Sequence, residues 1–161
     1  MSVVKFATHL WFDKDAEAAA ELYTGLFEDS SIDRVIRAPK NVPNIEDGAV
    51  FIVELTIMGQ KYIFLNGGPM YPFDAQVSLY VLCEGQDDVD KYWDALLADG
   101  GKPQQCGWLS DKFGLSWQII PKQLEDLMGG EDAAQAQRVT DAMLKMIKID
   151  VAELERAANA K

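Results

Sequence analysis

The chain is short of the residues that most chemistry needs. It has one histidine, His9, and two cysteines, Cys83 and Cys106, in 161 residues. A catalytic triad requires a histidine beside its nucleophile, and no serine here stands in a nucleophile elbow, so triad-type acyl transfer is excluded. The cysteines are far apart and in no metal-type spacing, and they read as reduced, buried, small hydrophobes. Bases are scarce too: 15 Lys and Arg against 26 Asp and Glu leave a formal charge of −11. That balance argues against a nucleic-acid groove or a contact with an anionic membrane. No apolar run approaches the ~20 residues of a membrane span. The stretch from Met1 to Phe12 lacks a basic segment followed by a long apolar one, so no signal peptide is expected and the expected location is the cytoplasm.

What is present is a core and a repeat. With 48% of its residues hydrophobic, the chain reads as a single domain over residues 1–161. Val3 to Phe12 reads as a strand, and Asp13 or Asp15 caps a helix with an apolar stripe at Ala19, Leu22, Tyr23, Leu26 and Phe27. Ser31 to Arg37, Ala49 to Ile57 and Lys61 to Leu65 follow as strands, the last two joined by a turn at Met58-Gly59-Gln60. Then the order starts again. Gln76 to Cys83 is a strand, and Gln86 or Asp87 caps a second helix, whose stripe of Val89, Tyr92, Trp93, Leu96 and Leu97 copies the first at a fixed offset. Gly100-Gly101 stops it. Lys102 to Cys106 is a short strand, and Gly107 to Pro121 is a hairpin turning at Asp111 to Gly114. An internal duplication of strand, helix and three strands is the economical reading. Lys122 to Met128 is a short helix, and Glu131 to Ala160 carries one long helical stripe suited to packing on the domain or on a partner subunit.

Alternation assigns faces. Glu54 and Thr56 oppose Val53, Leu55 and Ile57. Gln76, Ser78 and Tyr80 oppose Val77, Leu79 and Val81. Ser116 and Gln118 oppose Leu115, Trp117 and Ile119, with Ile120 breaking the pattern. The apolar faces belong under the helices. The polar faces suit either solvent or the wall of a polar cavity. Phe6, Thr8 and Leu10 are expected to share the polar side, with Tyr62, Phe64 and Asn66 as candidates for it.

Leu10-Trp11-Phe12, Phe64 to Pro69, Cys106 to Gly114, Ser116 to Ile119 and Ala142 to Met146 resemble the PhnB-like family, often labelled 3-demethylubiquinone-9 3-methyltransferase, of the vicinal-oxygen-chelate superfamily. The resemblance implies an α+β fold: two tandem βαβββ modules (1–70 and 74–121) forming a curved mixed sheet around a cavity, plus a C-terminal helical extension (122–161). It also implies a homodimer, which the long C-terminal helix and the exposed sheet edges favour independently.

Glyoxalase-type members hold a divalent ion with four side chains. Carried over by position, these fall on Thr8, on Gln76, on Gln118 and on either Glu54 or Ile63, a set poor in imidazole, thiolate and carboxylate. The expectation is therefore no transition metal and no cofactor. His9 alternates away from Thr8 and is expected in the core or an interface. The implied function is binding of a small polar molecule in the cavity, with Thr8, Thr56, Gln76, Ser78, Tyr80, Ser116 and Gln118 as ligand-binding residues and Trp108 or the Asn66-Gly67-Gly68 loop at the rim. The alternative is a lyase or isomerase using Glu54 as base, its pKa raised by burial, or a weakly held divalent ion. Adenosyl-dependent methyl transfer is set aside, because the first strand enters its helix with no glycine-rich loop.

Overall fold

The structure is a computed structural model and describes residue 2 and residues 4–160. Met1, Val3 and Lys161 lie outside the described residues, and with them the expected start of the first strand. The chain divides into two compact units, one ending at Phe73 and the other beginning at Asp74.

The first unit contains β1 (Thr8–Phe12), α1 (Ala16–Leu26), β2 (Ser31–Arg37), β3 (Val50–Ile57) and β4 (Gln60–Asn66). Its sheet has the order β1-β4-β3-β2. β1 runs parallel to β4, and the other pairs are antiparallel. Met58 and Gly59 turn β3 into β4 with φ of 46° and 78°. Positive φ at both central residues matches the strand twist. The alternation of β3 holds, with Val53, Leu55 and Ile57 buried against the half-exposed Glu54 and Thr56. Three alanines of α1, Ala16, Ala19 and Ala20, are wholly buried and let the helix lie close to the sheet. Tyr23 fills the remaining gap, its ring 5.9 Å from that of Phe64.

Asp15 stands at the N-cap of α1, as expected, but its side chain makes no cap bond. The amide of Ala16 donates to Oδ1 of Asn66 at 2.9 Å instead, and Nδ2 of Asn66 donates to the carbonyl of Val50. A buried amide reaching from the end of β4 thus replaces a local cap.

The second unit repeats the plan with β5 (Ser78–Cys83), α2 (Gln86–Leu97), β6 (Lys102–Pro103), β7 (Trp108–Ser110) and β8 (Ser116–Pro121). Its order is β5-β8-β7-β6, with β5 parallel to β8. Val89, Trp93 and Leu96 are buried, so the stripe repeat seen in the sequence corresponds to one helix-on-sheet contact made twice. The cap of α2 is Gly85 rather than Gln86 or Asp87, with Asp87 and Asp88 in the first turn where the helix dipole favours negative charge. β5 begins two positions later than expected. Gln76 therefore lies in an exposed turn, and Val77 is 55% exposed rather than in the core.

The hairpin motif is held by its own aspartate. Asp111 is 3% exposed. Its Oδ1 accepts from the amides of Phe113 and Leu115, and its Oδ2 accepts from Nε1 of Trp117 at 2.9 Å. Gly114 completes the turn at φ 88°, a value that suits glycine.

The long helix expected over Glu131 to Ala160 is two helices, α4 (Ala133–Met143) and α5 (Val151–Asn159), following α3 (Lys122–Met128). The break has a cause. The connector carbonyls of Met146 and Ile147 accept from the amides of Cys106 and Gly107, both at 2.8 Å. Gln86 clasps the same segment, donating to the carbonyl of Ile149 and accepting from the amide of Val151. Asp150 then restarts the helix by capping the amide of Glu153. Ile149 is wholly buried, in a cluster with Ile120, Leu124, Val139, Leu154 and Ala158.

Candidate functional site

Strand register sorts the outer face of the second sheet into rows. Ser78, Ser116 and Ser110 stand side by side across β5, β8 and β7, and Tyr80, Gln118 and Trp108 form the next row. Leu82 and Ile120 pair beyond them. The face thus grades from hydroxyls through amide and aromatics to aliphatics. The C-terminal helices cover Ile120, leaving it only 6% exposed, while Leu82 stays 49% exposed. Ile120 breaks the alternation of β8 because its side of the strand is covered there.

Between this face and the helices lies a pocket of about 430 Å³. Tyr80, Gln118 and Trp108 form the sheet wall, and Leu124, Glu125 and Met128 of α3 form the opposite wall. Ile120, Cys106 and Met143 complete the lining. Gln118 is oriented by donating from Nε2 to Oγ of Ser78 at 2.9 Å. The Tyr80 hydroxyl donates to Oε1 of Glu125 at 2.5 Å, joining the two walls. Burial, then this bond to a carboxylate, raise the Tyr80 pKa well above its ordinary value, so the phenol keeps its proton. Ser116 is buried, its Oγ at 3.5 Å from the carbonyl of Asp74, and is withdrawn from the pocket.

The candidate residues of the first unit do not assemble in the same way. The sequence suggests Glu54 as a carboxylate made basic by burial. The structure corrects that: Nζ of Lys5 lies 2.7 Å from one carboxylate oxygen and Nε of Arg34 lies 3.1 Å from the other. Its pKa is lowered, first by the bond from Lys5. Thr56 is held in a separate network, donating to Oδ2 of Asp33 and accepting from Nζ of Lys61. Thr8 pairs with Tyr62, which pairs with Leu55. Thr8 therefore stands on the side of the sheet opposite Glu54, and the same registers put Leu10, Tyr62, Phe64 and Asn66 on the buried side. Phe6 precedes β1 and is 93% exposed. His9 is exposed, in a row with Ile63, Glu54 and Arg34, and not in the core.

His9, Ile63 and Glu54 share the outer face of the first sheet, as Tyr80, Gln118 and Trp108 share that of the second. His9 rather than Thr8 therefore stands on the side of Glu54. A divalent site on the implied set does not fit: Gln76 is off the strand, Thr8 is on the wrong face and Glu54 is already ion-paired. Among the described residues no group of three or more His, Cys, Asp or Glu converges.

Most residues of the motifs are structural. Nε1 of Trp11 donates to the carbonyl of Gly68, and a Cβ on Gly67 would meet the Trp11 ring at 2.2 Å. Gly107, at φ 80°, would bring a Cβ within 2.9 Å of the Ile119 carbonyl. Sequence reasoning missed Glu125, Met128 and Met143 as lining residues; the one available signal was Ile120, an aliphatic on a polar face.

The sequence model of the family described as 3-demethylubiquinone-9 3-methyltransferase matches residues 4–120. A PhnB protein from Bacillus cereus, described as a putative 3-demethylubiquinone-9 3-methyltransferase, is 32% identical with a TM-score of 0.65, over 73% of this chain and 98% of its own. A protein from Pseudomonas aeruginosa, 15% identical with a TM-score of 0.59, shares the fold over 74% of this chain and 98% of its own. No curated protein matches.

Proposed function

Because the chain belongs to the PhnB-like 3-demethylubiquinone-9 3-methyltransferase family, a glyoxalase-type fold, we propose that it binds a small molecule in the pocket of its second module. The observation that carries this reading is the pocket of about 430 Å³ between the Tyr80–Gln118–Trp108 row and α3. It has the composition of a ligand site: aromatic and aliphatic walls with a few placed polar groups. Gln118, held by Ser78, offers hydrogen bonds to a polar group of the ligand, and Ile120, Leu124, Met128 and Met143 receive an apolar body. The ligand is therefore amphipathic rather than purely polar.

Methyl transfer, which the family description names, is not part of the proposal. The link from β1 to α1, Asp13 to Asp15, holds no glycine and so no glycine-rich loop to receive an adenosyl methyl donor. Catalysis by Glu54 is also left out, since Lys5 and Arg34 favour its charged form and make it a weak base.

The test is a fragment screen by ligand-observed NMR on the wild type and on Gln118→Trp, which fills the pocket from the sheet side. Fragments that bind the wild type and lose binding in the variant support the reading. Hits that bind both equally, or no hits with a folded wild type, sink it.

A further inference from the structure

The pocket carries a single formal charge. Of its lining residues only Glu125 is charged at neutral pH, and no ion pair among the described residues involves it. Its hydrogen-bond partner is the neutral hydroxyl of Tyr80. Two aromatic side chains, Tyr80 and Trp108, line the same space, and two thioethers, Met128 and Met143, line it further. A carboxylate without a protein counter-ion beside aromatic rings is the arrangement that favours an organic cation: the ring faces attract positive charge, and the carboxylate completes the pair.

We propose that this pocket takes an amphipathic organic cation, an amine or quaternary ammonium on an apolar body, with Glu125 as its counter-ion and Trp108 and Tyr80 flanking the charge. This assignment rests on the small-molecule reading above and names the class of ligand. The volume, about 430 Å³, falls within the ordinary range of small-molecule sites. The charge of −11 enriches cations around the whole chain. Much of the lining comes from outside the residues that the family model matches. Leu124, Glu125, Met128 and Met143 follow residue 120, where the family match ends. The Bacillus cereus protein is matched over 98% of its length by only 73% of this chain, so about a quarter of this chain has no counterpart in it. The shared module supplies the Gln118 wall, and the extension supplies the charge.

The experiment compares three probes with one apolar body: 4-phenylbutylammonium, 4-phenylbutan-1-ol and 4-phenylbutyrate. Each is titrated by calorimetry into the full chain near pH 7 and ~0.15 M salt. The ammonium should bind about tenfold tighter than the alcohol, and the carboxylate weakest. Glu125→Gln keeps an acceptor for Tyr80 and removes the charge; it should abolish the preference of ammonium over alcohol. Should that variant not fold, Trp108→Leu carries the test by lowering ammonium affinity more than alcohol affinity. Equal binding of alcohol and ammonium, or a preference that survives these changes, overturns the cation assignment and leaves small-molecule binding standing. No binding of any probe to folded wild type overturns the assignment too, and the fragment screen judges the broader reading separately.

Discussion

Replacing Asp111 by asparagine should destabilise the protein through a contact that one change at Trp117 cancels. The asparagine side chain keeps the shape of the aspartate. If its carbonyl stays with the amides of Phe113 and Leu115, its NH₂ faces the Trp117 indole N–H, and two donors oppose each other. A hydrogen bond to a charged acceptor contributes about 1.5–3 kcal/mol, and a buried donor left unpaired costs about 1–3 kcal/mol. Trp117 is 2% exposed, so water does not rescue it. Asp111→Asn should therefore cost about 2–4 kcal/mol. Trp117→Phe removes the N–H and some volume, at a cost of about 1–3 kcal/mol. In the double variant there is no indole donor to oppose, and the coupling should be about 1.5–3 kcal/mol. Equilibrium urea unfolding followed by far-UV circular dichroism measures all four proteins without relying on tryptophan emission. Single costs that sum to the double within about 0.5 kcal/mol would refute the argument, since independent sites add to that precision.

Two further outcomes follow from the structure, and a third from the family resemblance. Trp117→Ala should cost about 3–5 kcal/mol by opening the core, whereas Gln118→Leu on the pocket side should leave the melting temperature nearly unchanged; equal melting temperatures for Trp117→Ala and wild type would reverse the face assignment. The bonds from Lys61 and Thr56 hold the Asp33 carboxyl at about 2, below its ordinary 3.8. The stability it contributes is present above the ordinary value and disappears as pH falls through about 2, so thermal melts of Asp33→Asn and wild type should differ at neutral pH and converge in acid, and a constant gap would contradict the pairing. A homodimer is expected, and light scattering at micromolar concentration that returns the 17.9 kDa mass of one chain would end that expectation.

The βαβββ order is legible because each strand states its face by alternation, and each helix its stripe by spacing. The copy of Ala19 and Tyr23 in Val89 and Trp93 even carries the duplication. The site is less legible, for physical reasons. Thr8 and His9 are adjacent on one strand, and only pairing with β4 decides which of them shares a side with Glu54. Glu54 resembles a base because alternation is blind to Lys5 and Arg34, whose approach depends on a segment and a strand distant in the chain. Asn66 resembles a loop residue at a rim because a cap supplied from another strand leaves no local pattern. Glu125 escapes a sequence reading because an exposed carboxylate in a short helix carries no mark of a pocket; it borders one because α3 follows β8 directly and lies beside the sheet face.

The fastening of the segment after α4 to the backbone of Cys106 and Gly107 also sets an order of events during biosynthesis. Synthesis runs from the N-terminus, and domains generally fold in that order. The hairpin and α3 emerge first, with Ile120 and Leu124 exposed to water and to other chains. Those side chains are buried only when Val139, Ile149 and Leu154 arrive. A chain cut before Ile149 should therefore leave Ile120 and Leu124 uncovered.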